Sequence, residues 1–429
     1  MNLTIHIEKQ LEYDVVVCGG GFAGVAAAVS AARQGVRTLL VESGGELGGD
    51  ITKSIVPQIL DGDGKGGMVK DIFEFLNARH RTSPRRGQKV DENGLNLPGT
   101  MVDLEYVKYY LEKACFDAGV DILYHSNAVH TEREGTCISH VLVAGEAGCT
   151  LVSARIFIDA TGNGLVASLA GCSYSFGHPE TGHPQPCSAS MLVTGLDERA
   201  PLTNTNVQKD ELKTKMMNAG ISVSSEWISL MTVPQKGVHI LGFNNQYDVD
   251  PCDALSLSRA TSRGRMECIE VAYQMRNLEE FRNMEIVSVS SHIGVREGRR
   301  IRGLYTLTFE DVTEGRQFDD AICSVSFSID VHKTAKNDNA DHKKGKRVKT
   351  YHIPYRALVP ADCDNLLLAG RCISGDFHAH ASYRVAGDVT PMGEAAGYAA
   401  ALCVKENITP HAVDGVRISR FMRQLGYTI

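Results

Sequence analysis

The sequence predicts an α/β protein in which a doubly wound parallel sheet with a β-meander is split by an inserted α+β domain. Three observations predict it. Residues 13–18 form a short β-branched run that passes directly into glycines, residues 22–34 form an Ala-rich helical stretch closed by Gly35, and residues 36–42 form a second strand. A compact βαβ unit therefore opens the chain. Residues 359–401 return to the order of strand, Gly-rich turn and Ala-rich helix. Between these two stretches the pattern changes to mixed strands and long helices.

In chain order, a Gly-rich loop at 44–49 is followed by an amphipathic helix at 68–78, a loop with Pro84 and Pro98, and a helix at 103–118. Strands are expected at 121–124, 128–133 and 138–144, and three short strands in succession fit an antiparallel meander laid over the sheet. A last strand falls at 154–158. From about Ser173 the order becomes mixed, with a long helix at 254–275, and this continues to the polar run 333–349. The expected division is 1–172 with 350–429 as one domain and 173–349 as the insertion. No internal repeat is visible.

With 429 residues, 22% charged and 43% hydrophobic, the composition is that of an ordinary globular chain large enough for two or three domains. A formal charge of -7 gives no electrostatic reason to expect nucleic acid. The local basic runs at 80–89 and 342–349 read as solvated loops. Twelve cysteines without a C-x-x-C pair argue against a zinc site, a redox dithiol and a disulfide framework, and point to a reducing cytoplasm. No secretory h-region and no run of about 20 apolar residues is present, so no membrane partner is expected.

Residues 19–24 read G-G-G-F-A-G and match the dinucleotide fingerprint G-x-G-x-x-G. Gly19 permits the tight turn, Gly21 lets the backbone approach a pyrophosphate, and Gly24 lets the helix pack closely on the sheet. Phe22 and Ala23 open the helix, whose N–H groups and dipole favour the phosphates. Glu42 stands 18 residues after Gly24, where a carboxylate accepts ribose hydroxyls and repels a 2′-phosphate, and Ser43 follows it. This unit alone fits FAD and NAD equally.

Residues 156–164, I-F-I-D-A-T-G-N-G, are a buried strand ending in a glycine turn at Ala160, Thr161 and Gly162. They resemble the second flavin motif of the glutathione-reductase and fumarate-reductase superfamily. Residues 365–371, N-L-L-L-A-G-R, resemble its third. With three elements in order, the chain resembles the FAD-dependent oxidoreductase family allied to the fumarate reductase/succinate dehydrogenase flavoproteins. The segments 39–42 with Gly48 and Gly49, 185–188, 294–301, 329–332, 353–360 and 370–374 agree with it.

The resemblance implies a Rossmann-like FAD-binding domain split by a substrate domain. It implies FAD held by Gly19, Gly21, Phe22, Ala23, Gly24, Glu42, Ser43, Gly48, Gly49, Ala160, Thr161, Gly162, Gly370 and Arg371. Residues 50–54, D-I-T-K-S, carry no His where covalently flavinylated relatives have one, so the FAD is expected to be noncovalent.

Flavin carries the hydride chemistry, so the protein must supply orientation, a proton donor or acceptor, and charge near the ring. The segment 378–384 is expected as a loop beside the ring, with a helix starting near Pro391. His378, His380, Tyr383 and Arg384 are its candidates for proton exchange and anion binding. Arg296, Arg299 and Arg300 form a basic cluster, read either as a salt-bridged strand edge or, with His292, as a clamp for a substrate anion. His332 stands next in line for testing.

The segment 62–67, G-D-G-K-G-G, lacks the ending of a P-loop, and Ile72 replaces the twelfth-position Glu of a calcium loop. A mobile loop near the site is the preferred reading. No nucleophile elbow and no metal-ligand spacing is present.

The expected activity is hydride transfer between FAD and a small organic substrate. An NAD-dependent dehydrogenase, or a flavin-binding component of a larger complex with structural or redox-sensing FAD, are the alternatives. A homo-oligomer is a possible assembly.

Overall fold

The computed structural model describes residues 6–83, 100–335 and 348–429. The loop with Pro84 and Pro98 and most of the runs 80–89 and 333–349 lie outside the described residues. The main sheet contains β1 (Ile7–Cys18), β2 (Thr38–Val41), β3 (Asp121–Leu123), β4 (Asn127–Glu134), β5 (Cys137–Gly145) and β6 (Gly148–Asp159), in the order β3-β2-β1-β6-β5-β4. β1 runs parallel to both neighbours, with Val16 opposite Leu39 on one side and Phe157 on the other. Val15, Val16 and Val17 are fully buried, as a parallel strand covered on both faces requires. Each such side chain contributes about 1.5–3 kcal/mol of transfer free energy.

Two expectations are corrected here. β1 starts at Ile7 because its first half also pairs with β6, from Ile7 opposite Cys149 onward. The meander is β4-β5-β6, whereas the strand expected as its first member, β3, pairs parallel with β2 at the sheet edge. The helix Leu104–Ala118 precedes β3 and supplies the crossover that parallel pairing needs. The meander instead turns tightly at Gly135 and Gly148, both at positive φ.

Between β6 and the chain's return to the main sheet lies a four-stranded antiparallel sheet of β7 (Met191–Thr194), β8 (Ser229–Thr232), β9 (His239–Gly242) and β10 (Glu285–Val289), in the order β8-β9-β7-β10. Its inward residues Met191, Val193, Leu230 and Leu241 form a separate core with Cys268, Val271 and Met275. The larger core around the main sheet includes Ile301, Leu307, Ile322 and Val331, and Cys187, Val249, Ala260 and Ile293 form a third, small cluster. β11 (Leu366–Leu368) then returns to pair parallel with the last residues of β6.

The Ala-rich helices pack on each other for a steric reason. α1 (Phe22–Arg33) is buried from Phe22 to Ala31. α2 (Asp50–Lys53) is a single turn after Gly49, α3 (Phe377–Tyr383) follows β11, and α4 (Ala386–Glu406) lies against α1. A Cβ at Gly393 would stand 2.0 Å from Ala23 O, and one at Gly397 2.1 Å from Ala27 O, so the two backbones touch where only glycine fits. α4 begins at Ala386, earlier than expected, with Pro391 inside it.

The loop 62–67 is pinned, against the expectation of mobility. Lys65 is buried in an ion pair with Asp388, 3.5 Å from Asp61, and donates to Ser324 O at 2.8 Å.

Candidate functional site

The carboxyl ends of β1, β6 and β11 converge, as the topology of an open α/β sheet places a ligand crevice. A cavity of about 1060 Å³ opens there, just above the range of roughly 300–1,000 Å³ for sites holding one drug-sized ligand. It runs from the turn after β1 to the four-stranded antiparallel sheet and its surroundings, including Trp227, Met231, Ile240 and Phe243.

At the first end the three glycines do different work. Gly19 has φ +104 and a Cβ there would meet Ala160 O at 2.4 Å, while one at Gly24 would lie 1.7 Å from Gly19 O. Both positions need glycine for the polypeptide's own packing. Gly21 does not: its φ is −71, and the nearest atom to an added Cβ would be Gly49 Cα at 3.9 Å. The space it leaves belongs to the cavity, at the N-terminus of α1, where a pyrophosphate fits.

Glu42, 3% exposed, lines this end but is already engaged. Its Oε2 accepts from Gly20 N at 2.7 Å, and its Oε1 accepts from Gly44 N at 2.6 Å, Ser43 Oγ at 3.0 Å and the Lys53 ammonium. Burial works against its ionisation, but Lys53 and the backbone donors hold its pKa below the ordinary carboxylate value. Sequence reasoning missed Lys53, because no local pattern links it to a residue eleven positions earlier.

The second and third motifs meet at Arg371. Its Nη1 donates to Asp50 Oδ2 at 2.9 Å and its Nη2 to Asn163 Oδ1 at 3.0 Å. A Cβ at Gly162 would run into the guanidinium at 2.7 Å. Asp159, fully buried, shapes the turn by accepting from Thr161 N, Thr161 Oγ1 and Ala167 N. Gly48, Gly49, Ala160, Thr161, Gly162 and Gly370 all line the cavity, as do Val385 and Ala386 at the N-terminus of α4.

The expected catalytic residues are separated. His292, Arg296 and Arg384 line the cavity together with Asp330 and His332, whereas His378, His380 and Tyr383 are not among its lining residues. The segment expected as a loop is α3, because Asp376 caps a helix by accepting from His378 N at 2.9 Å and Ala379 N at 2.8 Å. Helical spacing turns its side chains into the core. His378 is 6% exposed and rests edge-on against Phe309 and Phe377. His380 is fully buried, and burial beside Arg384, Arg300 and Arg371 holds its pKa well below the usual imidazole value. The Tyr383 hydroxyl donates to Ile373 O at 3.1 Å, and burial pushes its pKa up.

Arg384 joins two other segments of the chain. Its Nη1 donates to Arg296 O at 3.0 Å and its Nη2 to Asp330 O at 2.6 Å. Asp330 Oδ2 lies 3.7 Å from Arg384 and 3.3 Å from His332 Nε2. The His332 backbone N–H is fixed by Gln185 Oε1 at 3.0 Å. The arrangement can bind an anion and offers one imidazole for proton exchange.

The family described as FAD dependent oxidoreductase matches residues 14–425. Curated relatives match shorter stretches. Digeranylgeranylglycerophospholipid reductase 2 of Methanothermobacter thermautotrophicus is 32% identical over 172 residues, 39% of this chain and 44% of that protein. The tRNA uridine 5-carboxymethylaminomethyl modification enzyme of Dichelobacter nodosus is 34% identical over 137 residues, 31% of this chain and 21% of that protein. The chain thus spans less than half the length of these relatives.

Among solved structures, a geranylgeranyl bacteriochlorophyll reductase-like protein of Thermoplasma acidophilum superposes with a TM-score of 0.51 at 12% identity, over 97% of this chain and 84% of that one. A triple mutant of a flavin-dependent brominase gives 0.52 at 13%, over 96% and 84%. At such identity the likeness shows the fold alone. Among the described residues no helix is long and apolar enough to cross a membrane.

Proposed function

The chain belongs to the FAD-dependent oxidoreductase family, and from that premise we propose that it transfers a hydride between noncovalently bound FAD and a small organic substrate. The family selects FAD over the NAD-dependent alternative. The carrying observation is one continuous cavity of about 1060 Å³ that joins the dinucleotide turn at Gly19 and Gly21 to Arg296, Arg384 and His332. FAD supplies the two-electron chemistry when bound.

The chain's own residues divide the remaining work. Gly21 and the N-terminus of α1 would take the pyrophosphate, Thr161 and Gly162 with Gly370 and Arg371 would flank the middle of the cofactor, and the N-terminus of α4 would face the ring. The residues of the proposed insertion, 173–349, would then enclose the substrate. Residues 50–54 present Asp, Ile, Thr, Lys and Ser, none of which supports a histidyl flavin bond. Kinship with the fumarate reductase type is part of the proposal, supported by the order in which the three motifs reach the cavity. So is a cytoplasmic location, for which the twelve scattered cysteines speak.

The test is spectroscopic. Purified protein, reconstituted with FAD, should show flavin bands, release all the flavin on denaturation, and bleach anaerobically with one member of a small-molecule panel. Absence of flavin bands after reconstitution would sink the proposal.

A further inference from the structure

Three arginines enter the chain within five residues, and the fold treats them differently. Arg300 is buried against Glu297 and donates through Nη2 to Gly177 O at 3.1 Å. Arg299 donates to Asn163 O at 3.3 Å and lies over the Tyr174 ring, 5.3 Å from its centroid. Arg296, like Arg299, stands in the cavity wall. Its Nη1 donates only to neutral oxygens, Pro186 O at 2.5 Å and Ser188 Oγ at 2.7 Å. Among the described residues no carboxylate lies within 4.0 Å of it.

The charges around Arg296 do not cancel. Asp330 is shared between Arg384 and His332, Arg371 is matched by Asp50, and Lys53 by Glu42. Of the cavity-lining guanidiniums, Arg296 and Arg299 have no carboxylate within 4.0 Å among the described residues, and Arg299 is the one that lies over the Tyr174 ring. An enclosed, unpaired charge loses hydration without recovering it, so an arriving anion is stabilised there. The Arg296 guanidinium is planar and holds five donors, of which Nη1 is engaged and Nε and Nη2 are left to bind; that fork matches a carboxylate. The same cavity is lined by Trp227, Met231, Ile240 and Phe243, alongside the polar Ser225, Ser229, Asn244 and Asn245.

We propose that Arg296 is the carboxylate-binding group of the substrate site, and that the substrate is a small organic acid with an apolar body. This rests on the reading of the cavity as a joint flavin and substrate site. The carboxylate is held by Arg296 while Pro186 O and Ser188 Oγ fix the guanidinium, and the apolar body lies against Trp227, Met231, Ile240 and Phe243. Arg384 fixes the backbone of Arg296 and acts as a positioning residue.

The experiment titrates oxidised holoenzyme with acetate, hexanoate, benzoate and phenylacetate, and with benzamide as the uncharged control, followed by flavin difference spectra and thermal shift. Benzoate or a larger carboxylate is expected to bind, with acetate and benzamide at least tenfold weaker. Arg296→Met should weaken the best carboxylate at least tenfold at unchanged FAD content, and Arg296→Lys should recover part of it. Unchanged binding in Arg296→Met, equal binding of benzamide, or no binding by any of the four acids overturns the proposal. So does an altered course of flavin photoreduction in Arg296→Met without any carboxylate effect, which would assign the charge to reduced flavin. If Arg296→Met does not retain FAD, Arg296→Lys at wild-type flavin content decides. Thermal shift needs no flavin, so protein that refuses FAD yet binds benzoate through Arg296 would refute the flavin reading and leave the clamp standing.

Discussion

Lys53 and Glu42 form a buried ion pair that closes the turn around Gly20 at the nucleotide end of the cavity. Glu42 is thus a structural anion before it meets any ribose. Glu42→Gln leaves a buried ammonium without its partner, which typically costs about 3–5 kcal/mol. Adding Lys53→Met should return much of that loss, because the pair is then removed as a unit. Urea denaturation of the apo protein measures both. Strictly additive single and double variants would show that the two groups do not interact.

Gly21 and Gly24 should separate cofactor binding from folding. A Cβ at Gly21 meets nothing closer than 3.9 Å, whereas one at Gly24 would sit 1.7 Å from Gly19 O. Gly21→Ala is therefore expected to fold with near-normal stability and to lose at least tenfold in FAD affinity, since the methyl occupies the approach to the pyrophosphate. Gly24→Ala should fail to fold or lose several kcal/mol. Circular dichroism with fluorimetric FAD titration distinguishes them, and Gly21→Ala binding FAD as tightly as wild type would remove that turn from the site.

The nucleotide half was legible because the motif carries its constraints in a fixed spacing. Gly24 is demanded by Gly19 O within the same turn, and Gly19 by Ala160 O at the end of the neighbouring strand, which the second motif marks in the sequence. The substrate half was less legible. The cap at Asp376 was a readable helix signal, and reading through it as a loop put His378, His380 and Tyr383 beside the ring when the helix buries them. β3 was taken into the meander because three short strands look alike until the helix before the first is weighed. That Arg300 is paired with Glu297, Arg299 lies over Tyr174 and Arg296 binds only neutral oxygens depends on contacts made in three dimensions, and no spacing encodes that.

Stability should fall as pH rises through the weakly acidic range, because of Glu394. This carboxyl is 4% exposed, accepts from Met68 N at 3.1 Å and from the Tyr427 hydroxyl, and burial raises its pKa from 4.5 to about 7. The folded state then keeps a proton that the unfolded chain has released, so the extra stability is present below about pH 4.5 and is gone above about 7. The gap corresponds to roughly 3 kcal/mol at most. Glu394→Gln, which preserves an acceptor for Tyr427, should flatten the dependence. Denaturation midpoints at about pH 5.5 and pH 8 compare the two proteins, and an equal slope in the variant would assign the effect elsewhere.

His332 is expected to be the proton-exchanging group of the cavity, with Asp330 orienting it. The geometry is the 3.3 Å contact between His332 Nε2 and Asp330 Oδ2, in a wall shared with Arg296 and Arg384. Burial, with Arg296 beside the ring, lowers the pKa of His332 to about 4 against the opposing pull of Asp330. The imidazole is therefore neutral at pH 7 and can accept a proton from substrate or pass one on. In a profile of kcat/KM, the acid limb should fall near pH 4 and not near 6.5, because activity that needs neutral imidazole is lost only as pH drops through that value. Asp330→Asn removes the group that favours imidazolium and should move the limb lower still. His332→Gln should keep FAD and carboxylate binding while turnover falls about 10²–10⁴-fold, the usual effect of removing a positioned acid or base. A His332→Gln enzyme with wild-type turnover and an unchanged acid limb would transfer the role to water or to His292.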